Sequence, residues 1–215
     1  MSFITSPGVI VPPLTAGGVA YGTGSQALVN SAGTAGQVLT SAGAGVPTWA
    51  TASGFTMGTP IPTTSGAEIE ITGFPTNAKL ILINFNKVSV SVNVFLNLQL
   101  GTASAYVTTG YATASLFFPT TLTLGAMTGP TTKFQVNGTR GTTQLDFVSG
   151  TLTLALLDSS TNIWSLSGNI AAVNNNTELS MTAGSVTLTN PLTRLKLFPN
   201  SAGTFDGGSV NILYS

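Results

Sequence analysis

Apolar and polar residues alternate with a period of two along most of the chain after Gly54, and turn-forming residues interrupt this alternation at short intervals. Such alternation is typical of β-strands that bury one face. No window of helical length has the 3.6-residue periodicity of an amphipathic helix. We therefore predict strands at residues 68–72, 79–86, 94–100, 121–124, 133–136, 144–148, 151–157, 162–172, 185–188, 194–198 and 209–214.

The phase of the alternation changes once within a predicted strand region. Apolar side chains occupy odd-numbered positions in 81–85 and even-numbered positions in 88–94, so a bulge or turn is expected near Asn86 and Lys87. The pairs Asn137-Gly138 and Asp206-Gly207 are typical of tight turns. Many short strands at this spacing predict an all-β fold, an antiparallel β-sandwich with a jelly-roll-like topology, over residues 54–215.

Residues 1–53 differ in composition from the rest of the chain. This leader is rich in Gly, Ala, Ser, Thr and Pro, and it contains no charged residue. Short strands are predicted at 17–22 and 36–41, and Trp49 lies near its end. A segment with so little apolar mass cannot build its own core, so it is expected to be extended and to become ordered against sister copies or a docking partner.

The charge of the chain limits its partners. Six Lys and Arg residues balance six Asp and Glu residues, and charged residues make up 6% of the sequence, against about 25% in an average globular protein. Nucleic-acid binding depends on Lys and Arg contacts to phosphates, so it is disfavoured. Membrane insertion is not expected, because no apolar stretch approaches the about 20 residues that span a bilayer. The chain also lacks a secretory signal, so synthesis in a cytoplasm is expected.

Candidate chemistry is sparse. The chain has no His and no Cys, which removes the bases and thiolates of nucleophilic triads and disulfides alike. Glu68 and Glu70 alternate onto one face of a predicted strand and are the only local carboxylate pair for glycoside hydrolysis, but a solvated strand face is the better interpretation. Acidic residues in separate predicted turns lack the spacing of a calcium loop; they are Asp146, Asp158 and Asp206. We predict no catalytic residue, no metal and no cofactor.

Two stretches add a family resemblance. Residues 33–49, GTAGQVLTSAGAGVPTW, resemble the GxxGQVLTSxGxGxPxW repeat of tail fibre proteins of tailed bacteriophages. Further along, the order of 99–102, 109–111, 156–164 and 204–214 is similar to the C-terminal domain of phage and prophage fibre proteins. This resemblance implies a non-enzymatic homotrimeric fibre on the virion tail, docked by its N-terminal segment, whose distal β-domain contacts a host glycan or protein. Because only about fifty residues precede the predicted sandwich, a short fibre or a tip mounted on another protein is expected.

The resemblance and the composition together suggest contact residues. The larger side chains of the leader are candidates for trimer or tail attachment: Tyr21, Val38, Leu39 and Trp49. Tyr106 and Tyr111 lie in a Gly/Thr-rich loop region, where exposed rings could stack on sugars at a receptor-contacting surface. Ordinary packing or inter-chain contact is the simpler interpretation for both. Trp164 alternates with apolar neighbours and is expected in the core, and residues 174–176 are expected to form a solvated turn.

Two alternative functions remain open from the sequence. A capsid decoration or cement protein would also be β-rich, nearly uncharged and oligomeric. A polysaccharide-degrading tailspike is the less favoured alternative, since it would need a paired-carboxylate site.

Overall fold

The computed structural model describes residues 16–22, 27–29, 32–52, 54–92, 94–119, 125–137, 147–173 and 178–215. Within these residues all regular secondary structure is β-strand, and every strand pairing is antiparallel. The predicted all-β class is confirmed. The chain divides into two units, Met1–Gly54 and Phe55–Ser215.

The described residues of the first unit form two small antiparallel pairs. Strands β1 (Ala20–Gly22) and β2 (Ala27–Val29) pair with each other, and so do β3 (Gln37–Thr40) and β4 (Thr48–Thr51). Thr40 Oγ1 donates a hydrogen bond to the Thr48 carbonyl at 2.7 Å, which helps to fix the register of the second hairpin. The predicted strands at 17–22 and 36–41 contain β1 and β3. The pattern did not predict their partners, because three or four residues are too few for alternation to be visible.

Where the structure describes it, the second unit forms two larger sheets. Its strands are β5 (Thr56–Met57), β6 (Ile61–Pro62), β7 (Ile69–Ile71), β8 (Leu80–Val90), β9 (Leu96–Gly101), β10 (Ala112–Pro119), β11 (Gly125–Thr128), β12 (Phe134–Gln135), β13 (Phe147–Asp158), β14 (Ile163–Val173), β15 (Glu178–Thr187), β16 (Arg194–Pro199) and β17 (Phe205–Tyr214). A nine-stranded sheet has the order β11-β10-β15-β14-β13-β8-β17-β5, with β6 also paired to β17. A four-stranded sheet has the order β12-β9-β16-β7.

Both larger sheets contribute to one hydrophobic core. Leu152, Leu154 and Trp164 come from the nine-stranded sheet, and Leu98 and Leu195 come from the four-stranded sheet. The ring of Trp164 is only 2% exposed, which confirms its predicted core position. Period-two alternation places these side chains on the inner faces because successive residues of a strand point to opposite sides.

Two strands of the nine-stranded sheet have their polar side chains inside. Ser115 of β10 and Thr182 of β15 are buried, and Ser115 Oγ donates to Thr182 Oγ1 at 3.1 Å. Thr182 Oγ1 in turn donates to the carbonyl of Gln135 in β12 at 2.9 Å, which links the two sheets. The other apolar residues of β10 and β15 point outward, apart from the buried Phe117 and Val186. The sequence pattern predicted no strand at β10 and only residues 185–188 at β15. The reason is that the prediction assumed that the apolar face of a strand is the buried one.

The outward-facing positions of β10, β11, β13, β14 and β15 form a continuous surface without a charged side chain. We call this surface the charge-free face, and every member is exposed or half-buried: Ala112, Ala114, Leu116, Phe118, Ala126, Thr128, Ser149, Thr151, Thr153, Ala155, Ser165, Ser167, Asn169, Ala171, Leu179, Met181, Ala183 and Ser185.

The predicted irregularity near Asn86 and Lys87 is a bulge inside the continuous strand β8. Lys87 has a φ of 51°, and the pairing of β8 with both neighbours shifts register at this point. On β13 the shift lies at Gly150, so the strands predicted separately at 144–148 and 151–157 are parts of one strand where the structure describes them. The prediction of a break there was wrong, since a bulge absorbs the irregularity without ending the strand.

The predicted tight turn at Asp206-Gly207 was also wrong. Both residues lie within β17, where two register shifts against β8 accommodate the glycines. An Asp-Gly pair suits a bulge as well as a turn, because glycine adopts a positive φ without steric cost. The predicted strand at 121–124, residue Gly138 and the predicted turn at 174–176 lie outside the described residues.

Candidate functional site

Half of the ten charged residues in the described part of the second unit lie on one surface. Six Lys and Arg and six Asp and Glu residues are all the charge that the chain has, and five of these residues lie on the outer side of the four-stranded sheet. Together with two aromatic rings they form what we call the charged face: Glu68, Glu70, Tyr106, Lys133, Arg194, Lys196 and Phe198.

Strand alternation explains why these side chains meet. Leu195 and Leu197 of β16 point into the core, so Arg194, Lys196 and Phe198 point outward. Lys196 lies directly opposite Glu70 of β7 on one side and Gln99 of β9 on the other. The three-strand register therefore determines which charges become neighbours.

Two ion pairs connect β16 with the β7 region. Lys196 Nζ lies 3.0 Å from Glu68 Oε1, and Arg194 Nη1 lies 3.5 Å from Glu70 Oε1. Both carboxylates are exposed, so each pair contributes about 0–1 kcal/mol to stability. Glu68 and Glu70 lie on a solvated strand face, as predicted, and each has a cation beside it. A glycoside hydrolase needs one carboxyl to be protonated in an apolar environment, which this arrangement does not provide.

Tyr106 lies at the centre of the charged face. Its hydroxyl donates a hydrogen bond to Glu70 Oε1 at 2.6 Å. The Arg194 guanidinium carbon and Lys196 Nζ lie 4.6 and 4.7 Å from its ring centroid, within the range of cation–π attraction. Partial burial, followed by the hydrogen bond to Glu70 and that carboxylate's charge, raises the pKa of the Tyr106 hydroxyl, so it stays a donor at neutral pH.

A glycine provides the seat for the Tyr106 ring. Gly101 at the end of β9 forms an isolated antiparallel bridge with Tyr106. A Cβ at this position would lie 2.8 Å from Tyr106 Cδ1 and 2.9 Å from Arg194 Cγ. Only glycine lets the ring and the arginine stem approach the backbone this closely.

Phe198 extends the face toward β12. Lys133 Nζ and Lys196 Nζ lie 5.3 and 5.1 Å from its ring centroid. Beneath this region Gln99 is buried, and its Nε2 donates to the Thr132 carbonyl at 3.0 Å, which holds the segment before β12 against β9. The surface therefore combines rings with donors and acceptors on rigid strands, a combination that suits stacking on sugars and hydrogen bonding to their hydroxyls.

Tyr111 does not share this surface. Its side chain is only 3% exposed, and its ring packs edge-on against Phe134 with a centroid distance of 4.8 Å. Its hydroxyl accepts a hydrogen bond from the Leu100 amide at 2.9 Å and donates to the Val107 carbonyl at 3.1 Å. Tyr111 thus packs in the core, as the simpler interpretation had it, and a role in receptor contact does not agree with this burial.

The predicted attachment residues lie in the small hairpins of the first unit. Val38 and Leu39 of β3 are 45% and 37% exposed, and Leu39 lies opposite Trp49 of β4. Trp49 is half-buried over Gly33, where a Cβ would lie 2.6 Å from its ring. Tyr21 belongs to β1, and its side chain lies outside the described residues. The structure brings Leu39 and Trp49 together and leaves Val38 open to solvent.

Sequence reasoning found Tyr106, Glu68 and Glu70 but missed the other members of the charged face. A signal was present, because alternation in the predicted strand 194–198 already separates Arg194, Lys196 and Phe198 from the leucines. Which strand lies beside β16 could not be read from that alternation.

No group of three or more His, Cys, Asp or Glu side chains in the described ranges is arranged to hold a metal ion. Across those ranges no helix has the length and apolarity needed to cross a bilayer. Asp158 ends β13 and accepts hydrogen bonds from Ser160 and Thr161, which lower the pKa of its carboxyl. Asp146 lies outside the described residues.

Comparison with known proteins adds no relative. No family model, curated protein or solved structure matches this chain.

Proposed function

We propose that this chain is a structural, non-enzymatic tail fibre protein of a bacteriophage virion. In this proposal three copies form the fibre, the first unit docks on other tail proteins, and the second unit faces the host surface. The protein is made in the host cytoplasm and then belongs to the tail. Neither a cofactor nor contact with nucleic acid or membrane interior is part of this function.

The motif at residues 33–49 supports this proposal most directly, and the fold agrees with it. The motif forms the β3–β4 hairpin, whose exposed Val38 and Leu39 are available for a sister copy or a tail protein. In the second unit, two antiparallel sheets that share one core support a β-sandwich of the jelly-roll type. A fibre tip needs such a rigid scaffold to present its contact residues.

The charged face is the surface that we assign to host contact. It gathers five of the chain's few charges around Tyr106 and Phe198, and the strands hold those side chains in place. Host-surface polysaccharides offer apolar sugar faces, hydroxyls and acidic groups. Rings, carboxylates and the Lys133, Arg194 and Lys196 cations match each of these features.

Adsorption of phage that carry Tyr106→Ala tests the host-contact role. We expect the adsorption rate constant to fall at least about tenfold, since a stacked ring at a binding surface contributes about 1–2 kcal/mol or more. Thr108→Ala, in the same loop and exposed, is the matched control and should adsorb like wild type. Lys133→Ala leaves the Tyr106 seat intact and should also slow adsorption.

Adsorption at the wild-type rate by both the Tyr106 and Lys133 variants, with normal fibre assembly, would overturn host contact by this face. The position in the virion is tested separately, by labelling particles with an antibody against the second unit. Label on the tail is expected, whereas label across the capsid lattice would identify a decoration protein instead. Release of reducing sugar from host envelope by the purified chain would overturn the non-enzymatic assignment.

A further inference from the structure

We propose that copies of the chain pack against one another through the charge-free face of the nine-stranded sheet. This inference rests on the homotrimer of the proposed function and adds the surface that would hold the copies together. Its occupant is a second copy of this chain.

On β10 and β15 several polar side chains face inward and several apolar side chains face outward, the reverse of the usual arrangement. On their inner side Ser115 and Thr182 form hydrogen bonds, while on the outer side Phe118, Leu179 and Met181 are exposed and Leu116 is half-buried. Cross-strand register aligns these residues in pairs, with Phe118 opposite Leu179 and Leu116 opposite Met181. Contiguous exposed apolar pairs on a regular sheet are unusual for a monomer's surface, and such patches mark interaction sites.

The charge-free face is grooved. A groove of about 1050 Å³ lies along it, bordered by Leu116 and Met181 and lined mainly by small residues such as Ala114, Ala183 and Gly168. Small side chains let another backbone approach closely. The outer sides of β13 and β14 add Thr151, with its hydroxyl already donating to Asn84 Oδ1 at 2.9 Å.

The size of the face agrees with a protein interface. Five strands at about 4.8 Å spacing give a width of about 24 Å, and seven residues at about 3.3 Å give a length of about 23 Å. Around a three-fold axis each copy would cover this face of about 550 Å², so three faces together would remove about 1,700 Å² from solvent, within the about 1,200–2,000 Å² of a specific interface.

The absence of charge favours an identical copy over another partner. Identical chains bring identical charges together around a symmetry axis, so a face with any net charge would repel itself. This face has no charged side chain among its members, and Lys87 of β8 lies at its edge beside Ser149. Depletion of charge is also what distinguishes the core of a homo-oligomer interface.

A pair of methionines provides a matched test in the full-length chain. Met181, 46% exposed, lies in the charge-free face, and Met57, 62% exposed, lies in β5, three strands beyond the nearest edge of that face. Sedimentation velocity should give wild type and Met57→Glu at three times the 21.8 kDa chain mass. The Met181→Glu variant should sediment as a single chain, because it would bring like charges together in a desolvated interface.

If the Met181→Glu variant fails to fold, the reactivity of an introduced thiol measures independently whether position 181 is covered. The chain has no cysteine, so Met181→Cys and Met57→Cys each introduce a single thiol. For Met181→Cys, maleimide should react at least about tenfold more slowly with the native protein than with the unfolded protein. For Met57→Cys, the native and unfolded proteins should react at similar rates.

The outcomes separate the two proposals. A trimeric wild type whose Met181 variants stay trimeric, with a freely reactive thiol, overturns this interface but leaves the homotrimer intact. If that thiol becomes protected only when host polysaccharide is added, the groove is a glycan site instead. A monomeric wild type contradicts the homotrimer itself.

Discussion

Tyr106 and Tyr111 lie five residues apart, yet their rings have opposite surroundings. Tyr106 contacts two cations and a carboxylate at the surface, whereas Tyr111 packs on Phe134 in the core. Both residues lie in the same Gly/Thr-rich loop region, so local composition does not distinguish them. The difference arises because Tyr106 forms a bridge with Gly101 at the sheet edge, and Tyr111 immediately precedes β10.

Alkaline pH should expose the role of Tyr111. Burial raises its pKa to about 12 from 10.0, so its contribution to stability is fully present below pH 10 and is lost as the pH rises through about 12. This contribution amounts to about 2–3 kcal/mol. We expect the free energy of unfolding, measured by urea titration, to fall across this range by more in wild type than in Tyr111→Phe.

The phenylalanine variant is also the control for other titrating groups. Lysines lose their charge in the same range in both proteins, so only the difference between the two curves reports Tyr111. At neutral pH the variant should be less stable by about 1–3 kcal/mol, because the Leu100 amide loses its acceptor in a buried position. Parallel curves from pH 9 to 12 would contradict the assignment.

At the level of strands, prediction succeeded where the inner face is apolar. Strands β8, β9, β16 and β17 bury leucine, isoleucine or phenylalanine at alternate positions, and the predicted ranges overlap the observed ones. Strand β10 was missed because Thr113 and Ser115 point inward while leucine and phenylalanine also occur outward. Alternation shows that two faces differ, but it does not show which face is buried.

The bulge that joins β8 and β17 is a feature whose energy can be tested. Lys87 has a φ of 51°, and opposite it Gly208 has a φ of 88°. A Cβ at Gly208 would lie 2.2 Å from the Lys87 carbonyl oxygen, a backbone atom that cannot move aside. We expect Gly208→Ala to lower the free energy of unfolding by about 1–3 kcal/mol or more, measured by urea titration at fixed protein concentration.

Gly54→Ala is the matched control for this substitution. A Cβ at Gly54 would have no atom within 4 Å, so its effect should stay within about 0.5 kcal/mol. An equally small effect at Gly208 would mean that the bulge does not have the described backbone conformation.

At the scale of the second unit, the charged face and the charge-free face lie on different sheets, although β8, β13, β15 and β17 of the nine-stranded sheet each include one charged residue. The charged face lies on the four-stranded sheet, and the charge-free face lies on the nine-stranded sheet. In the proposed fibre this separation assigns one sheet to host contact and the other to contact with sister copies. It also leads to different salt dependences for the two contacts.

Self-association through a charge-free face should be nearly independent of salt. Between about 0.05 M and about 0.5 M NaCl, screening removes most interactions between exposed charges. We expect the dissociation constant of the oligomer, measured by sedimentation equilibrium, to change less than about threefold over this range. Host adsorption through the charged face should weaken over the same range. An oligomer that dissociates readily in salt would contradict association through this face.

The sequence by itself determined the all-β class, most strand positions, the bulge near Lys87, the core position of Trp164 and the solvated face of Glu68 and Glu70. These features depend on local alternation and on the backbone freedom of glycine, which are properties of neighbouring residues. Only the tertiary structure decided that Tyr111 is buried, that β10 and β15 have polar interiors, and that Arg194 and Lys196 lie beside the glutamates. Those features depend on which strands pair and on what covers each face, and contacts between residues distant in the chain determine both.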